Sequence, residues 1–328
     1  MSLWKRIRYR IEWFGLAFLA TMIPLLPRRG AHGLANLLGS IGFRVDYRGR
    51  RTARQNLRAV YGDEKSEAEI VAIAKNSYKN FGRTVVDQFW SRRLKAENYE
   101  TFLEIEMDDP DAIESARETG AIWVTPHYSN FEWIALIMGF RGYRFTIIAQ
   151  DFKNPHLTKI FQENREVSGH QVIPQKRALI RLLKNLKSGG HAAFLTDLNI
   201  KPSKAATVIN VFGFKTCVTA LHAELMKRTG LPVIPGICIP KGDGTYIMRG
   251  FPPLEIGEND TEQEIAQACW DCFEPYLREN PDPWLWMYKH WRYLPEDEKG
   301  GANRYPGYAQ PSPHFRKLEQ RIAGAKSE

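Results

Sequence analysis

The chain has 328 residues, of which 43% are hydrophobic and 12% are aromatic. This length allows one large domain or two small ones, and this composition excludes a globally disordered chain. The formal net charge of +9 indicates an acidic partner: a phosphate-bearing lipid, an anionic membrane surface, an acidic carrier protein or nucleic acid.

Residues 1–27 predict attachment to a membrane. A basic segment precedes an uncharged apolar run from Trp13 to Leu26. Because a membrane-spanning helix needs about 20 apolar residues, the run predicts either a short single span or an interfacial anchor whose arginines reach the headgroups. A signal peptide is the competing interpretation, but no small-residue cleavage site follows the run, which continues into Pro27. The basic residues of the segment are Lys5, Arg6, Arg8 and Arg10.

Residues 28–99 predict a helical region that packs on the domain that follows it. Apolar side chains share one helical face at Leu34, Leu37, Leu38 and Ile41. A basic stretch comes next, and two interpretations of it stay open: a solvated helix face, or contact with anionic headgroups beside the predicted anchor. This stretch contains Arg44, Arg48, Arg50, Arg51, Arg54 and Arg58.

Residues 100–296 alternate between short apolar runs and helical patterns, which is typical of an α/β domain with a mostly parallel central sheet flanked by helices. The apolar runs predict strands near residues 121–125, 145–149, 191–195, 208–211, 233–239 and 246–249. The helical spacing predicts helices near residues 131–140, 155–168, 176–188, 219–229 and 261–278. The tail, residues 297–328, is polar and rich in Gly and Pro, so we expect it to be loosely held.

His127 and Glu132 stand where a predicted strand gives way to a predicted helix. Pro126 ends the strand because it lacks a backbone N–H, and sites in α/β sheets gather at the carboxyl ends of strands. A histidine can take a proton from a hydroxyl near neutral pH, and a nearby carboxylate can orient the ring and stabilise the imidazolium. The pair therefore predicts acyl transfer to an alcohol, with His127 as general base and Glu132 as the orienting acid.

A structural interpretation of the same residues also stays open. Ser129-x-x-Glu132 matches a capping box, in which the glutamate reaches back to the start of its own helix. His127 would then be an ordinary loop histidine.

Three residues further along the chain are candidates for substrate binding. Arg165 lies late in a predicted helix and carries the planar guanidinium that suits phosphate or carboxylate groups. Lys176 opens a basic stretch whose charges a solvated helix face would also explain. Asp197 follows an apolar run, again at the carboxyl end of a predicted strand, where a turn or helix cap is the alternative.

Other chemistries lack their sequence signals. No second C-x-x-C or His pair completes a zinc site, and no predicted strand leads into the C-x-x-C at Cys269. We therefore expect reduced structural thiols, no metal and no cofactor. The G-x-S-x-G elbow of esterases is absent, and so is any recognised nucleic-acid-binding motif, so we expect no nucleic-acid partner. The four cysteines are Cys217, Cys238, Cys269 and Cys272.

From residue 1 to about residue 296, the ordered blocks of the chain resemble the bacterial lipid A biosynthesis acyltransferases, the late lauroyl and myristoyl transferases of the lysophospholipid acyltransferase superfamily. The Phe-Pro-Glu-Gly-Thr-Arg block of the glycerolipid branch is absent, which favours the lipid A branch. The matching blocks are the basic-then-apolar N-terminus, His127-Tyr-Ser-Asn-Phe-Glu132, Arg165 with Gln175-Lys-Arg177, Phe194-Leu-Thr-Asp197, Val211-Phe-Gly213, residues 231–235 and the aromatic block 286–292.

This resemblance implies a fatty acyl thioester of acyl-carrier protein as donor and a hydroxyl of a phosphorylated lipid A precursor as acceptor. It also implies a catalytic domain on the cytoplasmic face of the anionic bacterial inner membrane, without a metal. In the expected reaction the hydroxyl attacks the thioester directly, assisted by His127 and Glu132. An acyltransferase for another glycolipid or lysophospholipid is the alternative. A non-catalytic basic peripheral membrane protein is the rival from another class.

Overall fold

The N-terminal part of the chain is a layer of four helices. The computed structural model describes residues 3–149, 154–175, 177–298 and 304–325. The helices of the layer are α1 (Leu3–Met22), α2 (Arg28–Val45), α3 (Tyr47–Tyr61) and α4 (Glu67–Trp90). Helix α4 begins with a capping box in which Ser66 and Glu69 satisfy each other's backbone N–H groups. The predicted helical character of residues 28–99 is therefore confirmed.

Helices α2 and α4 cross closely because glycines lie at the contact. A Cβ atom added to Gly39 would stand 2.5 Å from the Cα of Lys79, and one added to Gly82 would stand 2.6 Å from the carbonyl oxygen of Ala35. Separations this short exclude a larger side chain at either position, so these two glycines set the distance between the helices.

The rest of the chain alternates between strands and helices. The strands are β1 (Leu103–Met107), β2 (Ala121–Thr125), β3 (Phe145–Ala149), β4 (Gln171–Pro174), β5 (His191–Leu195), β6 (Ala206–Val211), β7 (Phe214–Thr219), β8 (Val233–Pro240), β9 (Tyr246–Gly250), β10 (Tyr293–Leu294) and β11 (Gln310–Pro311). The helices are α5 (Pro110–Thr119), α6 (Phe131–Phe140), α7 (Pro155–Glu166), α8 (Ala178–Lys187), α9 (Leu221–Thr229), α10 (Glu262–Asp271), α11 (Glu274–Glu279) and α12 (Pro313–Ala325).

In the part of the chain that the structure describes, seven strands form the central sheet in the order β1-β9-β8-β2-β5-β3-β4. The neighbouring pairs are parallel except β8 and β9, so the expected mostly parallel sheet is confirmed. Strand β2 lies in the middle and is buried on both faces. Ile122 and Val124 point into one hydrophobic core, and Ala121 and Trp123 point into the other. Its near-continuous apolar sequence follows from this double burial.

Two local differences from the predicted elements have clear causes. The helix predicted over residues 261–278 is interrupted between α10 and α11, because Pro275 near the start of α11 has no N–H to donate to the preceding turn. Strands β6 and β7 form an antiparallel hairpin in which Val211 pairs with Phe214. Its two loop residues, Phe212 and Gly213, both have positive φ angles, as a tight two-residue hairpin turn requires.

The expectation of a loosely held polar tail is wrong for the part of it that the structure describes. Strand β11 pairs with β10, and α12 packs on the hairpin of β6 and β7. Phe315 is completely buried there and Leu318 nearly so. These few apolar residues, spaced for one face of a helix, were outweighed in the sequence by the polar composition around them.

Helix α1 carries an exposed apolar stripe. Among the described residues, no helix is both long and apolar enough to cross a bilayer. The predicted anchoring segment is helical, and its large apolar side chains on the exposed side include Trp4, Ile7, Ile11, Phe14 and Phe18, which are 42–74% exposed. A second exposed apolar group on α2 contains Leu37, Leu38, Ile41 and Val45.

Part of the predicted basic stretch is engaged within the protein. Arg54 and Arg58 both form ion pairs with Glu67, and Arg50 donates hydrogen bonds to the carbonyl groups of Phe43 and Arg44. These ion pairs are solvent-exposed, so part of the charge of the stretch is compensated on the protein's own surface.

Candidate active site

His127 lies in the loop between β2 and α6, as the sequence predicted. Ser129 in this loop has a left-handed φ of 50°, which turns the chain so that α6 can begin at Phe131. The loop is held from two sides. The N–H of Ser129 donates to the carbonyl of Pro283 at 3.0 Å, and the hydroxyl of Thr84 donates to the carbonyl of Ser129 at 2.8 Å. These bonds fix the backbone that carries His127.

The carboxylate that contacts His127 belongs to Asp197. Its Oδ1 lies 2.7 Å from Nδ1 of the His127 ring, and its Oδ2 accepts the backbone N–H of His127 at 2.9 Å. Asp197 follows β5, the parallel neighbour of β2, so both residues stand at the same edge of the sheet. A neutral imidazole that donates from Nδ1 carries its lone pair on Nε2, and the ring is thereby oriented for proton transfer.

The Asp197 carboxyl is fully buried yet stays ionised. Burial by itself would raise its pKa, but the His127 ring beside it and the hydrogen bonds from His127 and Trp284 keep the pKa below its usual range. The indole N–H of Trp284 donates to Oδ2 at 2.8 Å. The side chain of His127 is 15% exposed while that of Asp197 is 0% exposed, so solvent reaches the ring but not the acid.

Glu132 binds Arg165, not His127. The guanidinium donates to both carboxylate oxygens, from Nε at 3.1 Å and from Nη2 at 2.5 Å. The carboxylate that contacts the His127 ring is therefore that of Asp197 and not that of Glu132. The capping box is wrong as well, because Asn130 is the N-cap of α6 and none of the described side chains caps that helix. Burial alone would lower the pKa of Arg165, and the charge of Glu132 reverses that effect and raises it.

An apolar cavity of about 440 Å³ opens beside this ion pair. Its polar lining includes Glu132, Arg165 and Gln175. Phe131 lies between the cavity and His127: its ring lines the cavity, and its ring centroid is 4.9 Å from that of His127. Other apolar walls are Trp123, Val124, Ile134, Ala135, Phe145, Ile147, Ile148, Ala178, Ala193, Phe194, Leu195, Ile200 and Leu221. The volume and apolar lining suit a hydrocarbon chain.

The predicted substrate-binding residues have different positions. Arg165 lies at the cavity, as expected of a residue that meets substrate. Asp197, predicted to bind substrate, has no exposed side-chain surface and does not line the cavity, and its carboxylate contacts His127 instead. Lys176 lies outside the described residues. The four cysteines are free thiols, as predicted, and burial raises the pKa of Cys217 to about 12.

A buried polar network that sequence reasoning missed supports the other end of the loop. The carboxylate of Asp87 on α4 accepts three side-chain hydrogen bonds. They come from Nη2 of Arg28 at 2.9 Å, from the amide of Asn130 at 2.9 Å and from the hydroxyl of Tyr246 at 2.6 Å. Asn130 immediately precedes α6, so the N-terminal helices contact the site loop directly. These residues are far apart in the chain, and no local spacing indicated that they meet.

Comparison with known proteins identifies the family. The family model described as "Bacterial lipid A biosynthesis acyltransferase" matches residues 3–293, and the chain belongs to this family. A phosphatidylinositol mannoside acyltransferase of Mycolicibacterium smegmatis is 25% identical over 260 residues, which cover 76% of this chain and 82% of that relative. A protein of the same name from Mycobacterium tuberculosis is 23% identical over 176 residues, which cover 52% of this chain and 54% of that relative. The protein is thus an acyltransferase.

Proposed function

We propose that this acyltransferase moves a fatty acyl chain from a thioester to a hydroxyl of a phosphorylated glycolipid, with His127 as general base and Asp197 as the residue that orients it. The observation that carries the proposal is the hydrogen bond from Nδ1 of His127 to the buried Asp197, next to an apolar cavity of about 440 Å³. The proposal keeps the base that the sequence indicated and replaces Glu132 by Asp197 as its partner.

The reaction requires no covalent intermediate on the protein. Nε2 of His127 removes the proton of the acceptor hydroxyl, and the oxygen attacks the thioester carbonyl carbon. The tetrahedral intermediate then collapses, the C–S bond breaks, and the imidazolium returns the proton to the leaving thiolate. Asp197 stabilises the positive charge that the ring carries between these two transfers. The products are an ester and a free thiol, and the base is regenerated.

The cavity and the ion pair receive different parts of the substrates. We assign the hydrocarbon chain of the donor to the apolar cavity, because burial of apolar carbon there is favourable and the walls offer few polar partners. The bond to Glu132 uses Nε and Nη2 of Arg165. We assign Nη1 of the same guanidinium to an anionic group, either an acceptor phosphate or the oxyanion of the intermediate.

The donor we propose is acyl-carrier protein, and the acceptor is a lipid A precursor. The net charge of +9 suits both an acidic carrier and a phosphorylated lipid. A phosphatidylinositol mannoside is the second candidate acceptor, favoured by the names of the similar mycobacterial proteins. Both acceptors are phosphorylated glycolipids, so the proposed chemistry is the same for each.

An acceptor panel tests this proposal. The purified protein is incubated with acyl-carrier-protein thioester and, in turn, a lipid A precursor, a phosphatidylinositol mannoside and a lysophospholipid, and the products are identified by mass spectrometry. We expect one added acyl ester on a glycolipid, and none with the His127→Ala variant. Acylation of the lysophospholipid alone would contradict the glycolipid assignment.

We also propose that α1 lies in the interface of the cytoplasmic leaflet of the inner membrane. Its exposed apolar stripe and its basic residues suit an in-plane helix on an anionic surface. Binding to anionic vesicles should weaken as salt rises, because screening acts over about 10 Å at 0.1 M, but some binding should persist through the apolar stripe. Deletion of residues 1–27 should release much of the protein, and digestion of the domain from the periplasmic side of spheroplasts would overturn the proposed sidedness.

A further inference from the structure

Trp284, which lies just before the aromatic block 286–292, contacts Asp197 of the site through its indole nitrogen. Trp284 is completely buried, and its indole N–H donates to Oδ2 of Asp197 at 2.8 Å. The same Oδ2 accepts the backbone N–H of His127, which leaves Oδ1 directed at the His127 ring. Three hydrogen bonds from two residues thus fix both torsions of the Asp197 side chain.

Ring packing and hydrogen bonds around Trp284 fix the position of its indole ring. Its ring stacks on His290 with centroids 3.9 Å apart and 22° between the planes. The ring of Trp286 packs against it edge to face, with ring centroids 4.7 Å apart. Its carbonyl accepts a hydrogen bond from Ser77, and Tyr128, the neighbour of His127, pairs with it through a β-bridge. The indole therefore cannot turn away from Asp197 without disturbing several buried contacts.

His290 completes the arrangement as a neutral group. Its Nε2 lies 2.9 Å from the carbonyl oxygen of Leu285, and burial lowers its pKa to about 4. At neutral pH the ring therefore adds a flat surface under Trp284 without adding a positive charge that would compete with His127 for Asp197.

We propose that Trp284 is a positioning residue for the acyl transfer: its N–H holds Asp197 so that the carboxylate orients His127. This inference rests on the proposed role of His127 as general base. Trp284 has no contact with the cavity and acts through Asp197, since a carboxylate that is free to rotate would leave the tautomer and the orientation of the His127 ring unfixed.

Trp284→Phe tests the proposal, because it removes the N–H and keeps an aromatic ring in the stack. Trp270→Phe is the matched control: Trp270 is 2% exposed, belongs to the same aromatic cluster and donates its N–H to a different carboxylate, that of Glu274, at 2.5 Å. We expect Trp284→Phe to lower kcat roughly tenfold with little change in KM, as expected when an interaction specific to the transition state is weakened. Trp270→Phe should keep kcat within about twofold at a similar melting temperature.

The pH profile separates positioning from packing. Without the indole N–H, the Asp197 carboxylate loses one stabilising hydrogen bond, becomes more basic and attracts the imidazolium more strongly. The acidic limb of the kcat/KM profile should therefore move to higher pH in Trp284→Phe and stay in place in Trp270→Phe. Equal losses in both variants with unchanged profiles would overturn the proposal.

A double-mutant cycle keeps the proposal testable independently of the acceptor. In an Asp197→Asn background, Trp284→Phe should cause no further loss of kcat, because the residue through which it acts is already altered. Additive losses would overturn the proposal.

If Trp284→Phe does not fold, the indole N–H resonance of Trp284 in folded protein labelled with 15N-tryptophan serves instead: it should move upfield in Asp197→Asn, and an unchanged resonance would overturn the proposal. Failure of the proposed function itself is distinguishable, because His127→Ala would then be active.

Discussion

The Asp197 region and the Glu132 region of the site hold similar acids in different surroundings. Asp197 has no exposed side-chain surface and accepts three hydrogen bonds, two of them from His127. Glu132 is 18% exposed, lines the cavity and forms a two-point ion pair with Arg165, which is 25% exposed. In the proposed mechanism the buried acid orients the base, and the partly exposed pair faces the substrate. A buried acid that loses its partner is penalised more strongly than a partly solvated one.

Removal of the base should have the largest effect. His127→Ala should lower acyl transfer by roughly 10²–10⁴-fold, the usual contribution of general base catalysis. His314→Ala, an exposed histidine on α12, is the control for handling and folding. The measurement is the initial rate of acyl transfer together with the melting temperature. Near-normal turnover by a folded His127→Ala protein would show that His127 is not the base, and Asp197 would then have no role in the proposed mechanism.

The two acids can be compared directly by acid-to-amide changes. Asp197→Asn should lower kcat by roughly 10²-fold or more, because an amide cannot stabilise the imidazolium and favours the wrong ring tautomer. The KM for the donor should change little, since the residue has no exposed surface. Steady-state kinetics with both substrates measures the split, and an unchanged kcat would contradict the pairing of Asp197 with His127.

Glu132→Gln is the matched change in the other region, and its effect should be smaller. We expect a loss in kcat/KM of roughly tenfold or less, expressed mainly in the KM of the acceptor, because a partly exposed ion pair contributes modestly. If Glu132 oriented the base, as the sequence predicted, this variant would instead lose activity sharply. A loss in kcat as large as that of Asp197→Asn would restore the original assignment.

The smallest effect concerns stability in acid. The folded-state pKa of Asp197 lies below its ordinary value of 3.8, so the ionised carboxyl contributes stability at pH values above 3.8, and this stability is lost as pH falls through the lower folded pKa. Asparagine does not titrate, so the gap in melting temperature between the native protein and Asp197→Asn should narrow as pH falls below about 4. A gap that stays constant on acidification would argue against an ionised carboxylate at this position.

Much of the fold could be predicted from local pattern. The predicted strands at residues 121–125, 145–149 and 191–195 and the helix at residues 131–140 have the same limits as β2, β3, β5 and α6. Apolar periodicity and Pro126 sufficed for these, because burial on one or both faces produces a regular pattern of apolar residues in the sequence. The strands β1 and β4 and the last helix, α12, were not predicted: β4 and α12 carry few apolar residues among polar ones, and β1 alternates apolar and charged residues over only five positions.

For the site, the sequence determined the position of the proposed base and the identity of the candidate acids, because a strand end before a helix is a local feature. It could not determine which acid meets His127. Glu132 is five positions away, but α6 carries it towards Arg165, while Asp197 lies 70 positions away and arrives through the pairing of β5 with β2. The contacts of Trp284 and Asp87 are equally long-range. Only the tertiary structure decides such pairs, because strand order and helix packing, rather than spacing along the chain, bring their atoms within hydrogen-bonding distance.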